Sequence, residues 1–499
     1  MSIPLLSTLI FFPILGGLSL LIVPRQQASS IRLMALLISL IELALCLPVA
    51  LLFDKTTYRM QFQEYHPWIR ALNIDYSLGI DGISILFLLL TALIIVLSIL
   101  VSWESITTKV QEFFVALLLL EGAMMGVFCA TDFFLFYIFW EAMLIPMFLI
   151  IGVWGGPNRI YATVKFFLYT LVGSLLMLVG IILLYLKGGQ TFDIVKLAGQ
   201  SYPLKLQLLL FWAFFAAFAV KVPMWPVHTW LPDAHTEAPA AGSVILAAVL
   251  IKMGAYGFLR FSLPILPDAT QHMLLPMLVL SVIAIFYGAI ICLAQTDLKR
   301  LVAYSSVSHM GFVTLGLFAL NQHGLEGGIL QMLNHGVVTG ALFLAIGMVY
   351  ERTHTRDIAA YGGLATTMPL FAGFFLLFTL AAIGLPGTNG FIGEFLILLG
   401  GFERLPWTAV VASSGLILGA WYMLWLYQRI FFNELKEGMN GLAELNLREI
   451  VTLVPMVLLI FWIGLYPNAV LSFLHVSVGH LLDQVNGIGL AGPVFPLHP

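Results

Sequence analysis

Long apolar stretches alternate with short polar connectors along this chain. At about 20 residues per crossing, the pattern predicts about fourteen transmembrane helices. They lie near 3–23, 32–53, 80–103, 112–130, 133–154, 161–186, 206–235, 239–263, 272–294, 298–320, 326–350, 368–400, 406–432 and 450–474. Only the connector 54–79 is long enough to fold over the surface. Two of these spans are interrupted. Residues 220–239, VKVPMWPVHTWLPDAHTEAP, carry Pro223, Pro226 and Pro232, each of which removes a backbone donor or strains the turn before it. Residues 368–400 are overlong for one crossing, and Gly384, Pro386, Gly387, Gly390 and Gly393 cluster in their second half. A broken helix in a bilayer leaves amide and carbonyl groups unpaired, which is tolerable only inside protein or around a water-filled cavity.

The breaks also suggest an organisation. Spans four to eight and nine to thirteen each break their fourth member, and because five is odd the second set starts from the opposite face. That spacing predicts two inverted five-helix repeats with ion sites at the broken helices. The expected fold is an all-α polytopic membrane protein. It has an N-terminal three-helix segment over 1–110 with an external loop at 54–79, repeats over 111–265 and 266–433, and a C-terminal helix and tail over 434–499.

Composition agrees with a membrane protein. The 499 residues are 61% hydrophobic and 9% charged, against about 25% charged in a soluble domain. The N-terminus lacks a basic n-region and a small-residue cleavage site, so the first apolar run is expected to stay as a helix. Cys46, Cys129 and Cys292 fall singly in apolar runs, a spacing that supports no disulfide framework, zinc site or iron–sulfur site. A net charge of −3 with no basic cluster gives no reason to expect nucleic acid. With alternating spans, one face collects 11 Lys and Arg residues, including Lys299, and the other 8, including Arg260. The richer face is expected to be cytoplasmic and both termini outside. Asp81 and Trp103, at the two ends of the third span, look like interface anchors.

The remaining ionisable groups lie where lipid is expected. Lys221 stands at the first break and Lys252 near the centre of the next span, among small residues that let neighbouring helices approach. An amine withdrawn from water gives up its proton more readily, so a pair of such lysines suits proton transfer better than scaffolding. Glu121 and Glu141 lie mid-span and must be either protonated or paired with a cation. Lys165 stands within two turns of a helix end, where it either snorkels to the headgroups or joins a relay. Ser305 and His309 share a helix face. Gln331, Asn334 and His335 add polar groups to the following span, and Glu394 follows the second break at once. Intramembrane ionisable residues of this kind mark proton or ion pathways, and histidine is a natural intermediate between lysine and carboxylate. Glu42, midway along the second span, reads as a neutral acid hydrogen-bonded to a neighbouring helix or subunit.

Four stretches resemble a known family: KVPMWPVHTWLPDAHTEAPAAGSVILAAVLIKMGAYG, YIFWEAMLIPMFLIIGVWGG, AQTDLKRLVAYSSVSHMGF and GLPGTNGFIGEF. They are similar to the antiporter-like subunits of proton-translocating NADH-quinone oxidoreductase, respiratory complex I, over most of the chain from about Asp81 onward. A glutamate at 394, where sister subunits usually have lysine, resembles the subunit M branch, homologous to mitochondrial subunit 4. The resemblance implies that Glu141 pairs with Lys221, that Lys252 is the central lysine of the axis, and that His309 and His335 bridge from it to the terminal acid Glu394. Glu121 and Lys165 match positions where many members carry charge. Glu42 matches no pattern and receives no role.

The expected function is proton translocation through this buried axis, driven by quinone reduction in other subunits, with no redox site in this chain. FMN, iron–sulfur clusters and quinone are expected in partner subunits. The expected partners are other membrane subunits, with sister antiporter-like subunits on either side, the peripheral redox arm indirectly, and lipid. The expected location is the bacterial inner (plasma) membrane. The alternatives are a subunit of a multi-subunit sodium/proton antiporter, a module of a membrane hydrogenase complex or photosynthetic-type homologue, and a structural membrane subunit with no conduction.

Overall fold

The computed structural model describes residues 4–487. The chain opens with α1 (Leu5–Ser19) and α2 (Ala28–Leu51), then an antiparallel hairpin of β1 (Gln61–Ile69) and β2 (Ile74–Ile80). Next come α3 (Ser84–Ser105), α4 (Val110–Cys129), α5 (Phe133–Ala142), α6 (Leu144–Trp154), α7 (Arg159–Lys187), the short α8 (Ile194–Ala198), α9 (Leu204–Lys221) and α10 (Trp230–Glu237). The span Ala240–Ile265 consists of α11 (Ala240–Ile245), α12 (Ile251–Gly257) and α13 (Leu263–Ile265), joined by two π-helical turns. It is followed by α14 (Pro267–Leu293), α15 (Leu298–Leu317), α16 (Gln322–Thr353), α17 (Leu364–Thr367), α18 (Pro369–Ala382), α19 (Asn389–Arg404), α20 (Pro406–Phe431), α21 (Leu447–Leu465) and α22 (Asn468–Val485).

Twelve helical segments among the described residues are long and apolar enough to cross a membrane, rather than the fourteen expected. The difference lies in the polar segments. The expected span 298–320 is α15, whose serines, His309 and basic first turn lower its hydropathy, and 368–400 is split between α18 and α19. The expected span 450–474 ends earlier, at Leu465, and α22 starts just beyond Pro467. Two spans, Ala240–Ile265 and α16, are buried along their whole apolar length and form the middle of the molecule. The backbone of α16 approaches the first π-helical turn closely at Gly336, where a Cβ would lie 2.8 Å from the Ala248 carbonyl oxygen.

The connector 54–79 contains the hairpin, and the hairpin does structural work. Glu64 of β1 accepts from the free amides of Leu6 at 2.7 Å and Ser7 at 3.1 Å, capping the start of α1, where unpaired N–H groups require an acceptor. Asp81, expected as an interface anchor, is instead buried and takes a two-point contact from Arg260, at 3.0 and 2.6 Å. Arg260, counted above with the charges of one face, lies inside the Ala240–Ile265 span. Lys299, counted with those of the other face, sits buried in the first turn of α15.

Both predicted breaks are present, and each is tied down by hydrogen bonds. After Lys221 the helix stops, and the Val220 carbonyl freed by the prolines accepts from the Trp230 indole at 2.8 Å. After Ala382 the chain turns through Gly384 and Gly387, both at positive φ, and Asn334 of α16 donates to the Asn389 carbonyl at 2.7 Å. A further interruption divides the expected span 133–154 at Met143, beside Glu141. Pro146 has no N–H to return to the Ala142 carbonyl, so the helix cannot run straight through.

Two distant pairs of segments are joined in the same way. Thr131–Asp132 pairs with Asp193 through Phe133 N–H to Phe192 O (2.8 Å) and Ile194 N–H to Thr131 O (3.1 Å). Thr296–Asp297 pairs with Asp357 through Leu298 N–H to Arg356 O (2.9 Å) and Ile358 N–H to Thr296 O (2.8 Å). All four aspartates cap the helical segment that follows them.

Candidate functional site

Lys221, the last residue of α9, is buried and its ammonium has no hydrogen-bond partner. It faces two aromatic rings, Trp140 at 5.3 Å and Phe166 at 6.0 Å, a weak but favourable setting for a desolvated cation. Glu141 follows Trp140 directly at the end of α5, half-buried, with Tyr137 and Ser174 beside it. Glu141 and Lys221 lie within electrostatic reach of one another. The Lys221 ammonium nevertheless makes no hydrogen bond to the carboxylate, so the two interact without a direct contact.

A second group of residues is contiguous. The Lys252 ammonium, between the two π-helical turns, donates to the Ala247 carbonyl and lies 2.6 Å from Nδ1 of His335. Nε2 of His335 is buried and unpartnered. His335 borders a small cavity that Ser305, His309, Gln331 and Asn334 also line, with about 10 Å³ open to the centre of a water molecule, room for roughly one water. The His335 and His309 rings are 5.7 Å apart. Beyond them Nδ1 of His309 is 3.2 Å from Oε1 of Glu394, without hydrogen-bond alignment, and Gln331 donates to the same oxygen at 3.2 Å. Lysine, histidine, histidine and carboxylate thus succeed one another across Ala240–Ile265, α16, α15 and α19. Each step is a direct contact or a gap that one water could fill.

The other predicted residues lie elsewhere. Lys165 forms an ion pair with Asp233 of α10 at 2.7 Å, and Asp233 also takes Arg300 at 3.1 Å. This charge therefore anchors the segment after the first break to α7 and α15. Glu121 is fully buried on α4 and its charged neighbour is Glu42 of α2, likewise fully buried. None of their four carboxylate oxygens has a hydrogen-bond partner, so Glu42 makes no bond to a neighbouring helix of this chain, one of the two partners expected.

The structure also brings in residues that the sequence did not single out. His228 and His235, in and after the first break, are buried with both ring nitrogens unpartnered. They stand seven positions apart in VHTWLPDAHTEAP, a two-turn spacing that was the available signal. At the end of α3 away from the hairpin, a cavity of about 730 Å³ is lined by Glu237, Lys299, Glu351, Arg352, Arg356 and Glu449, among others.

Comparison with known proteins places this geometry in a family. The family described as NADH:quinone oxidoreductase/Mrp antiporter, TM, matches residues 130–419, more than half of the chain. The chain is 50% identical over 498 residues to NADH-quinone oxidoreductase subunit M of Rhodobacter capsulatus, covering 96% of each. It is 47% identical over 481 residues to NADH-ubiquinone oxidoreductase chain 4 of Marchantia polymorpha, covering 96% of this chain and 97% of the relative. Among solved structures it is similar to a chain of respiratory complex I from Thermus thermophilus with bound NADH. That match has a TM-score of 0.88 and 33% identity, covering 96% of this chain and 99% of the other. The chain belongs to the family of NADH-quinone oxidoreductase subunit M and its mitochondrial counterpart, chain 4.

Proposed function

We propose that this chain carries protons across the membrane as an antiporter-like subunit of an NADH:quinone oxidoreductase. The observation that supports this most directly is the run Lys252, His335, His309, Glu394, set among apolar helices with all but His309 buried, and interrupted only by a water-sized cavity. Lys221 and Glu141 form the other half. When Glu141 is ionised its charge holds the Lys221 proton, and weakening that attraction releases the proton towards Lys252 and onward. Moving one charge against 100 mV costs roughly 2.3 kcal/mol. The driving force is assigned to quinone reduction in partner subunits, which would carry FMN, iron–sulfur clusters and quinone. Sister antiporter-like subunits on either side are the proposed neighbours. The face richer in lysine and arginine is assigned to the cytoplasm and both termini to the outside.

The paired Thr–Asp bridges support the inverted five-helix repeat over 111–265 and 266–433. Each joins the helix that begins with a capping aspartate to the segment before a broken helix. A sodium/proton antiporter subunit is the second reading, favoured only by the breadth of the matched family, whose description includes Mrp antiporters. Flavin and iron–sulfur proteins co-purifying with the chain discriminate between the two.

The test uses membrane vesicles carrying the whole complex, with NADH oxidation and proton uptake measured in parallel. Lys221→Ala and Lys252→Met should each leave an assembled complex and abolish most proton uptake. Full uptake with either variant would reduce the chain to a scaffold.

A further inference from the structure

We propose that Lys299 is the residue through which protons pass from the large cavity into the buried line, handing them by way of His235 to Lys252. This rests on the proton-translocating function proposed above. Neither Lys221 nor Lys252 lines that cavity, whereas Lys299 does, beside Glu237 and Arg356. The cavity lies at the end of α3 away from the hairpin, on the face rich in lysine and arginine, so it connects with the side from which protons would be drawn.

The path inward follows one helix face. The Lys299 ammonium, although the residue is only 4% exposed, donates to the Ala238 carbonyl at 2.6 Å and lies 3.4 Å from the Ser243 hydroxyl. Lys252 donates to the carbonyl of Ala247, four residues beyond Ser243. Two of their anchor residues, Ser243 and Ala247, are thus four positions apart on one span, about 6 Å along its axis, while the shorter Lys299 contact, to Ala238, lies just before the span begins.

His235 is placed to join them. It is fully buried, stacked parallel on Phe343 with ring centroids 4.5 Å apart, and lies within electrostatic reach of both Lys299 and Lys252. Its backbone carbonyl accepts from the Ser243 hydroxyl at 3.0 Å. Neither ring nitrogen has a partner. An imidazole with both nitrogens free can take a proton at one and release it at the other. In the transfer the Lys299 ammonium gives a proton to one ring nitrogen of His235, whose other nitrogen releases one to Lys252 after that amine has passed its own to His335, and a proton from the bulk, carried by water in the cavity, recharges the neutral Lys299 amine.

The competing role is structural, because Lys299 also donates to the carbonyl of Ala238, the C-cap residue of α10, a common use of lysine at a helix C-terminus. Arginine keeps the charge and the donors but holds its proton throughout the working pH range, so Lys299→Arg separates the two. The experiment follows NADH-driven proton uptake and NADH oxidation in vesicles carrying the whole complex. The variants are Lys299→Arg, Lys299→Ala and His235→Gln, with Lys252→Met as control.

We expect Lys299→Arg and His235→Gln to assemble and to lose proton uptake by about 100-fold or more, within the range for removing a proton-transfer group. Ethylamine added on the cavity side should restore uptake to Lys299→Ala but not to Lys299→Arg or Lys252→Met. Normal uptake in Lys299→Arg, with uptake lost in Lys252→Met, would leave Lys299 as a helix cap and overturn the proposal while the buried pathway stands. Normal uptake in Lys252→Met as well would overturn the pathway itself.

Discussion

The Lys252 ammonium lies 2.6 Å from Nδ1 of His335, close enough for a proton to be shared between them, and the Ala247 carbonyl holds the ammonium from another side. With Lys252 charged, Nδ1 is the acceptor and the remaining ring proton sits on Nε2 of a ring that lines the water-sized cavity. Accepting the lysine proton at Nδ1 then permits release at Nε2. His335→Gln keeps a polar group of similar reach but cannot relay a proton. It should lower proton uptake by about 100-fold while NADH oxidation persists in uncoupled vesicles. The ratio of the two rates checks this.

Gly384 holds a positive φ of 71°, and a Cβ there would stand 2.6 Å from Oε2 of Glu394. Gly384→Ala should therefore cost stability by about 1 kcal/mol or more and push the carboxylate away from His309. A lowered unfolding temperature together with reduced proton uptake is the expected outcome in purified, reconstituted complex.

The buried pair of Asp81 and Arg260 ties the start of α3 to the end of the Ala240–Ile265 span. Removing one partner leaves a lone charge in a dry site, so Arg260→Met should destabilise the chain by roughly 3–5 kcal/mol and reduce assembly of the complex. Adding Asp81→Leu to it should recover much of the loss. Native gel electrophoresis of the single and double variants measures both effects.

Asp132 and Asp297 each cap a helix, accepting from the amides of Leu135 at 2.9 Å and Arg300 at 3.0 Å. Asp132→Ala and Asp297→Ala should each cost about 1 kcal/mol, whereas the asparagine variants, which also cap, should cost little. Thermal unfolding of the four variants decides it.

The helical breaks could be read from the chain because proline and glycine act locally: Pro223 and Pro226, then Gly384 and Pro386, stop a helix whatever surrounds it. Pro146 carried the same signal beside Glu141, but the strongly apolar run around it read as continuous. Contacts between distant residues left no such local mark. Asp81 and Arg260 are 179 positions apart, so each reads alone as a boundary charge, and nothing beside Lys299 in the sequence marks the Ala238 carbonyl, 61 positions away, that its ammonium meets. The second π-helical turn is followed by Pro264, which has no N–H to return to the Arg260 carbonyl, whereas the first contains neither proline nor glycine. The repeated words Thr–Asp at 131 and 296, and Thr-x-Asp-Ile at 191 and 355, were present throughout, but are too short to stand out before the bridges show what they do.

Those two wide turns, Leu246–Leu250 and Phe258–Ser262, decide the compass bearing of everything between and beyond them. Each accommodates a residue that a regular helix would not, and one residue corresponds to about 100° of rotation. Shortening the first turn by a single residue would swing the Lys252 side chain from His335 towards a different neighbour with no change in its chemical identity. The azimuth of this lysine is thus fixed by the length of the chain just before it.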